Sequence, residues 1–383
     1  MKRSEFLVFG RPAIEEAEIE AVARTMRSGW LGTGPRVAEF EDTFRGYTGA
    51  EHALALNSCT AGLHLALLCL ELEPGDEVIT TPLTFCATAN AIIHAGGRPV
   101  FADVEPGSMN IDPARIEAAL SARTRAIVPV HFAGRPCDMD AIMAIGKRHD
   151  LRVIEDAAHA IESAYKGRKI GAIGDATVFS FYVTKNIVTG EGGMVTTNRQ
   201  AWAERIKVLG LHGMGKDAWK RYQDEGFRHY DVLYPGFKYN MMDIQAAIGI
   251  EQMKRIVAYR ARRQAIWNRY NEAFAGLPLI LPAAPEPDTV HALHLYTPLL
   301  DLARVNITRD ELQRRLHERN IGTGVHFTAL HLYSYYRNTF GYKPGDFPHA
   351  RFVSERTLSL PLSARLTDAD VQDVIDAVRS SLS

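Results

Sequence analysis

The chain has 383 residues, more than one simple core holds, and fits two lobes or one large α/β body with an appendage. Apolar residues make up 46% and charged residues 23%, and 44 Lys and Arg balance 45 Asp and Glu to a net charge of −1. That balance excludes the electrostatic footprint of a nucleic-acid binder or of a protein held on an anionic membrane, so any bound phosphate must be gripped locally.

The start, MKRSEFLVFGRP, is basic but has no apolar run of signal-peptide length, and no stretch reaches the roughly 18 apolar residues of a membrane span. The expectation is a cytoplasmic protein with neither membrane nor nucleic acid as partner. Residues 11–29, RPAIEEAEIEAVARTMRSG, read as a helix with Pro12 in its first turn and Ile14, Ala17, Ala21, Val22 and Met26 on one face. From about 50 to 200, short apolar strands alternate with helices. HALALN (52–57), EVITTP (77–82), RPVFADV, RAIVPVHF, LRVIEDA, ATVFSFY and MVTTN are the strands. AGLHLALLCL (61–70) is a helix apolar on nearly every face, hence buried, and TFCATANAIIHAGG and MDAIMAIGKRH are further helices. Short β-branched runs separated by helices predict an α/β fold with a mainly parallel, seven-stranded sheet covered on both faces.

A long helix over 241–275 then carries the chain out of this body, and the Pro-rich LPLILPAAPEPD introduces a smaller C-terminal α+β unit. The predicted division is 1–255 for the large domain and 256–383 for the small one, on which the N-terminal helix could pack. Two capping boxes, Thr308-x-x-Glu311 and Thr367-x-x-Asp370, mark helix starts in the small unit. Cys59, Cys69, Cys86 and Cys137 show no C-x-x-C spacing, so they read as buried free thiols and no metal site is expected.

Three segments could carry chemistry. In VIEDAAHA (153–160), Asp156 ends an apolar strand, where α/β proteins face their ligands; taken alone it is equally a helix cap. In ATVFSFYVTKNIVTGEGGMVTTN (176–198), Lys185 follows an apolar strand, and partial desolvation there would lower its pKa and make the amine nucleophilic. In NSCTAG (57–62), small residues at a helix start let backbone N–H groups and the Thr60 hydroxyl approach an anion, although an ordinary capped helix would look the same. No P-loop or G-x-G-x-x-G pattern is present. Together the three supply what pyridoxal 5′-phosphate (PLP) needs: an amine for its aldehyde, an anion at its ring nitrogen and a cradle for its phosphate. Phe85 could offer a flat face for the ring.

The order NSCTAG, PLTF, VIEDAAHA, FSFYVTKNIVTGEGGMVTTN and YNMMDIQAAIGIEQ resembles the DegT/DnrJ/StrS sugar-nucleotide aminotransferases of PLP fold type I, from SGWLGTGP (28–35) almost to the C-terminus. The resemblance implies that Lys185 holds the cofactor through its aldehyde and moves the proton between the substrate carbon and C4′. Asp156 becomes the partner of the ring nitrogen, with His159 beside it, and Phe85 takes the ring-stacking position. Cys59, Thr60 and Ser180 match phosphate-binding positions. Asn240 matches an asparagine that reaches the phosphate from the neighbouring subunit, which implies a homodimer with shared active sites.

Within the family, LHGMGKDAWKRY (211–222), PGFKYN (235–240) and IGTGVHFTALHLYSYYR (321–337) look most like the UDP-4-amino-4-deoxy-L-arabinose aminotransferases. That likeness implies L-glutamate as donor, with 2-oxoglutarate as its product, and a UDP-linked 4-keto sugar as acceptor. Gly32, Thr33 and His326 would lie near the sugar, with Arg228 or Lys238 on the diphosphate. A turn at WLGTGP and a packed strand histidine at 326 are the plain alternatives. A related dehydratase branch carries histidine at the lysine position; Lys185 places this chain outside it. Tyr182 departs from the family, where histidine or phenylalanine is common. Amination of a 3-keto sugar, or a non-catalytic regulatory role on the same fold, are the competing readings of function.

Overall fold

A computed structural model describes residues 3–215 and 231–382. Its centre is a sheet of seven strands: β1 (His52–Leu56), β2 (Glu77–Thr80), β3 (Arg98–Phe101), β4 (Thr124–Val128), β5 (Arg152–Asp156), β6 (Ala176–Ser180) and β7 (Gly193–Thr197). Their order is β1–β7–β6–β5–β4–β2–β3. β3, β2, β4, β5 and β6 run parallel, and β7 runs antiparallel to both β6 and β1. Strand interiors such as Val153, Ile154, Val178 and Val195 are buried, as a sheet covered on both faces requires.

The apolar helix following β1 spans Cys59–Leu68, and its residues from Ala61 to Leu67 are all buried. Gly62 lets it lie against the sheet: a Cβ there would sit 2.5 Å from Val178 Cγ1 and 3.0 Å from Val195 Cγ2. Gly193 performs the same service at the helix start, where a Cβ would sit 2.4 Å from the Ser58 carbonyl carbon. These two glycines bring the first turn of the helix down onto the ends of β6 and β7.

A second hydrophobic cluster joins Ile266, Trp267, Tyr270 and Phe274 to Leu312, Leu316, Val371, Val374 and Val378 in the C-terminal third. Thr367 and Asp370 form the expected reciprocal box, each side chain taking the other's backbone N–H. Thr308 accepts from Glu311 N at 3.2 Å, but the Glu311 carboxylate turns to Arg314 and Arg315.

Several expectations need correction. The N-terminal helix is Glu16–Arg27, capped by Glu15, so Pro12 precedes it. It packs on the helix Asp243–Lys254, and Tyr259 Oη donates to its cap, Glu15, at 3.1 Å. It buries Glu18, Ala21 and Thr25, leaving Ile14 and Met26 exposed. Glu18 wins this place because Arg255 and Gln252 both bond its carboxylate. The expected helix over 241–275 is two helices, Asp243–Lys254 and Ile256–Phe274, with Arg255 between them at φ −109° and ψ 4°. Of the four free cysteines only Cys137 is buried; Cys59, Cys69 and Cys86 are half-buried. No helix among the described residues is long and apolar enough to cross a membrane.

Candidate active site

The site gathers at the carboxyl ends of β5 and β6 and at the start of the helix after β1. Strand alternation sends the last two side chains of β5 to opposite faces. Glu155 is fully buried, accepting from Gly174 N at 2.8 Å and Thr177 Oγ1 at 2.7 Å, with His131 Nε2 at 2.9 Å. Asp156 opens onto a cavity. Thr88 Oγ1 donates to its Oδ2 at 2.8 Å and Ala158 N–H to its Oδ1 at 3.1 Å. No helix begins after Asp156, so helix capping is not its purpose. Beyond β6 the chain turns, with Lys185 N–H donating to Tyr182 O at 2.8 Å.

The cavity holds about 460 Å³ and is lined by Cys59, Thr60, Phe85, Asp156, His159, Ser180, Lys185 and His326, eight residues that sequence reasoning singles out. Thr88, Ala158, Tyr182, Glu191 and Phe327 complete much of the wall. Ser58 caps the helix Cys59–Leu68, accepting from Ala61 N, so the segment is an ordinary capped helix whose first turn also faces the cavity. A larger cleft of about 730 Å³, bordered by Glu41, Arg45 and Lys207, contains none of these residues. The smaller cavity is the one with the chemistry.

Burial lowers the Lys185 amine to about 8, with the Cys59 sulfur and the Asp156 carboxylate opposing the shift. Burial also pushes the Cys59 thiol well above its usual range, so at neutral pH it is uncharged and Asp156 is the effective counter-charge. Burial raises Asp156 as well, against the bonds from Thr88 and Ala158 and the charge of Lys185. Burial, then the Lys185 charge, hold His159 neutral. Desolvation, then the charge of the same lysine, lowers the half-buried His326 to about 4; its Nδ1 lies 2.7 Å from Ser359 Oγ.

Asn240, Gly32, Thr33 and Lys238 do not line this cavity. They meet in a separate knot. Asn240 Nδ2 donates to Thr33 Oγ1 at 2.6 Å, Thr33 Oγ1 donates to Met241 O at 2.5 Å, and Asp243 N–H donates to Gly32 O at 3.1 Å. Lys238 contributes its carbonyl, which accepts from Asn57 Nδ2 at 3.3 Å. Arg228 lies outside the described residues. Sequence reasoning missed Thr88, although it stands one helical turn beyond Phe85. It also missed His294, whose ring centroid lies 4.5 Å from that of His159; no local pattern marks it, because the contact spans the whole fold.

A family model, the DegT/DnrJ/EryC1/StrS aminotransferase family, matches residues 12–379. The spore coat polysaccharide biosynthesis protein SpsC of Bacillus subtilis is 52% identical over 379 residues, covering 99% of this chain and 97% of that one. Among solved structures, a putative sugar aminotransferase, Spr1654 of Streptococcus pneumoniae in its PMP form, superposes with a TM-score of 0.91 at 34% identity, covering 98% of both chains. Helicobacter pylori PseC, an aminotransferase involved in the biosynthesis of pseudoaminic acid, gives 0.90 at 30% identity and 99% of both chains. The chain belongs to this family and is a PLP-dependent sugar aminotransferase of fold type I.

The cavity fits that cofactor. It offers a buried amine with a lowered pKa, a buried carboxylate with lone pairs to spare, and the first turn of a helix. Phe85 is 60% exposed although it stands at the cavity wall, a flat apolar face whose ring neighbour, Phe327, is tilted at 6.3 Å.

Proposed function

We propose that this DegT/DnrJ/EryC1/StrS family member transfers the amino group of L-glutamate to a UDP-linked 4-keto sugar in the cytoplasm. The products would be 2-oxoglutarate and a nucleotide-linked 4-amino sugar destined for cell-surface polysaccharide or lipopolysaccharide. One observation carries the assignment of the site: Lys185 and Asp156 converge on one cavity of about 460 Å³, with Cys59, Thr60 and Ser180 on the same wall. The likeness to a spore coat polysaccharide biosynthesis protein supports the polysaccharide destination.

When bound, PLP supplies an aldehyde that takes up the amino group and a ring that draws electrons from the bond being broken. The chain does the rest. Lys185 Nζ, desolvated enough to be partly neutral, takes the proton from the substrate carbon and returns it. Asp156 keeps a proton at the ring nitrogen, and His159 stands beside it as a neutral group. Phe85 covers the ring face. The Cys59 and Thr60 turn and the Ser180 hydroxyl hold the phosphate. His326 faces the sugar, and Gly32, Thr33 and Lys238, which lie off this cavity, serve the sugar and diphosphate at a second subunit's site.

Asn240 would complete the phosphate site of a second subunit, making the active unit a homodimer with shared sites. Exposed Trp30, Leu31 and Met242 around its knot support that reading, because apolar side chains grouped on a surface mark an interface. The test runs the reaction backward with UDP-4-amino sugars and 2-oxoglutarate and follows glutamate. Turnover with UDP-4-amino sugars is the expected result; turnover only with 3-amino sugars or free amino acids would overturn the substrate assignment and leave that of Lys185 intact.

A further inference from the structure

Lys185 lies in a turn, and the directional hold on the chain just after it comes from one side chain. Asn186 Nδ2 donates to Glu162 Oε2 at 2.6 Å and to Ala292 O at 3.0 Å, and Asn186 Oδ1 stands 3.0 Å from His294 Nδ1. Glu162 accepts only, so it fixes which end of the amide faces it. Oδ1 must then face His294, which requires that the histidine carry its proton on Nδ1. Burial, then the charge of Lys185, keep that ring neutral, in agreement with a single Nδ1–H tautomer.

Behind Asn186 stands a buried ion pair. Glu162 is 2% exposed and Arg263 is 3% exposed, and the guanidinium bonds Glu162 Oε1. Arg263 belongs to the helix Ile256–Phe274, whose Ile266, Trp267 and Tyr270 build the C-terminal cluster. In front of Asn186, His294 is 5% exposed and packs on His159, which lines the cavity. Ile187 also anchors the turn, but apolar packing in the core sets depth without direction.

We propose that Asn186 is a positioning residue: the chain Arg263–Glu162–Asn186–His294 fixes the Lys185 amine and the His159 ring relative to each other and ties both to the C-terminal body. The amide uses both Nδ2 protons and its carbonyl oxygen here, a set no other side chain of that length offers. The inference rests on the reading of Lys185 as the cofactor lysine.

The test reverses the polarity of one contact. Asn186→Asp places a second carboxylate against Glu162 and removes both donors. It should lower kcat about 100-fold, leave KM for glutamate within about threefold, and weaken PLP retention about tenfold. Combining it with Glu162→Gln restores a donor–acceptor pair of the same total charge and should recover at least about tenfold of the lost kcat. In the cofactor-free proteins, the rate at which an amine-specific reagent labels Lys185, read by mass spectrometry, should shift in the single variant and return in the double. If Asn186→Asp does not accumulate as folded protein, Asn186→Ala and His294→Gln, which add no charge, should show the same split between kcat and KM. Variants within about twofold of the parent in kcat and cofactor retention, or a folded double variant no better than the single, would overturn the proposal. Borohydride labelling of Lys185 in the parent is read separately, so a failed Lys185 assignment is distinguishable from a failed network.

Discussion

Asp156, at the end of one strand, and Lys185, in the turn beyond its parallel neighbour, line one cavity, and each opposes what burial does to the other. The ammonium is drawn down to about 8 by burial, and the carboxylate limits that fall. The carboxylate is drawn up by burial, and the ammonium limits that rise.

This relationship predicts a pH signature in the cofactor-free protein. Lys185 falls from 10.5 unfolded to about 8 folded, so between those values the unfolded chain binds more protons and stability rises with pH. Below about 8 the full cost of burying the charge is present; by about 10.5 it is relieved. Lys185→Met removes the charge altogether. The variant's advantage over the parent in urea unfolding should therefore shrink by up to roughly 3 kcal/mol from pH 8 to pH 10.5. A difference that does not change with pH would mean that the amine is solvated in the folded chain. The same pair predicts that borohydride reduction of the PLP-loaded parent places the label on Lys185, and that Lys185→Ala has no transaminase activity.

Asp156→Asn should keep the fold and lose the chemistry. The amide can still accept from Ala158 N–H, and its Nδ2 can donate to Thr88 Oγ1 once that hydroxyl turns. What disappears is the negative charge that keeps a proton at the ring nitrogen as electrons flow toward it. Single-turnover reaction with glutamate should slow about 1,000-fold or more, at an unchanged melting temperature. A variant that kept the parent's rate would reduce Asp156 to a structural role.

The sequence is most legible where function and periodicity coincide. All seven strands of the sheet and the buried helix Cys59–Leu68 stand in its period-2 and all-apolar runs. The eight cavity residues lie in three short segments with sharp local chemistry, apart from Phe85 and His326. What escaped depends on partners distant in the chain. Glu18 is charged yet buried, because Arg255 and Gln252 meet it from 237 and 234 residues away. Asn186 was visible only as part of a motif; its partners Glu162, Ala292 and His294 come together only in the fold. The break at Arg255 has no proline or glycine to announce it.

The position of Asn240 leads to the last prediction. Its Oδ1 is buried and has no partner among the described residues, an arrangement that costs free energy unless something fills it. Its Nδ2 is engaged by Thr33, within the same chain. Turning the amide over, with the Thr33 hydroxyl leaving Met241 O to donate to Oδ1, would place Nδ2 at that unpartnered position as a donor for an anion. That donor does not face the cavity of its own chain; on the proposed shared-site reading, the anion it serves belongs to a second copy seated on the Trp30, Leu31 and Met242 surface. Lys185→Ala and Asn240→Ala should each be nearly inactive alone. Unfolded together in equal amounts and refolded, about half the dimers are mixed, and each mixed dimer carries one doubly damaged site and one intact site. Activity should therefore return to about a quarter of the parent's, and the yield should track the mixed dimer resolved by differential tagging. Mixed dimers that form and stay inactive would mean that each site is built from one chain, and that Asn240 serves only the loop around Thr33.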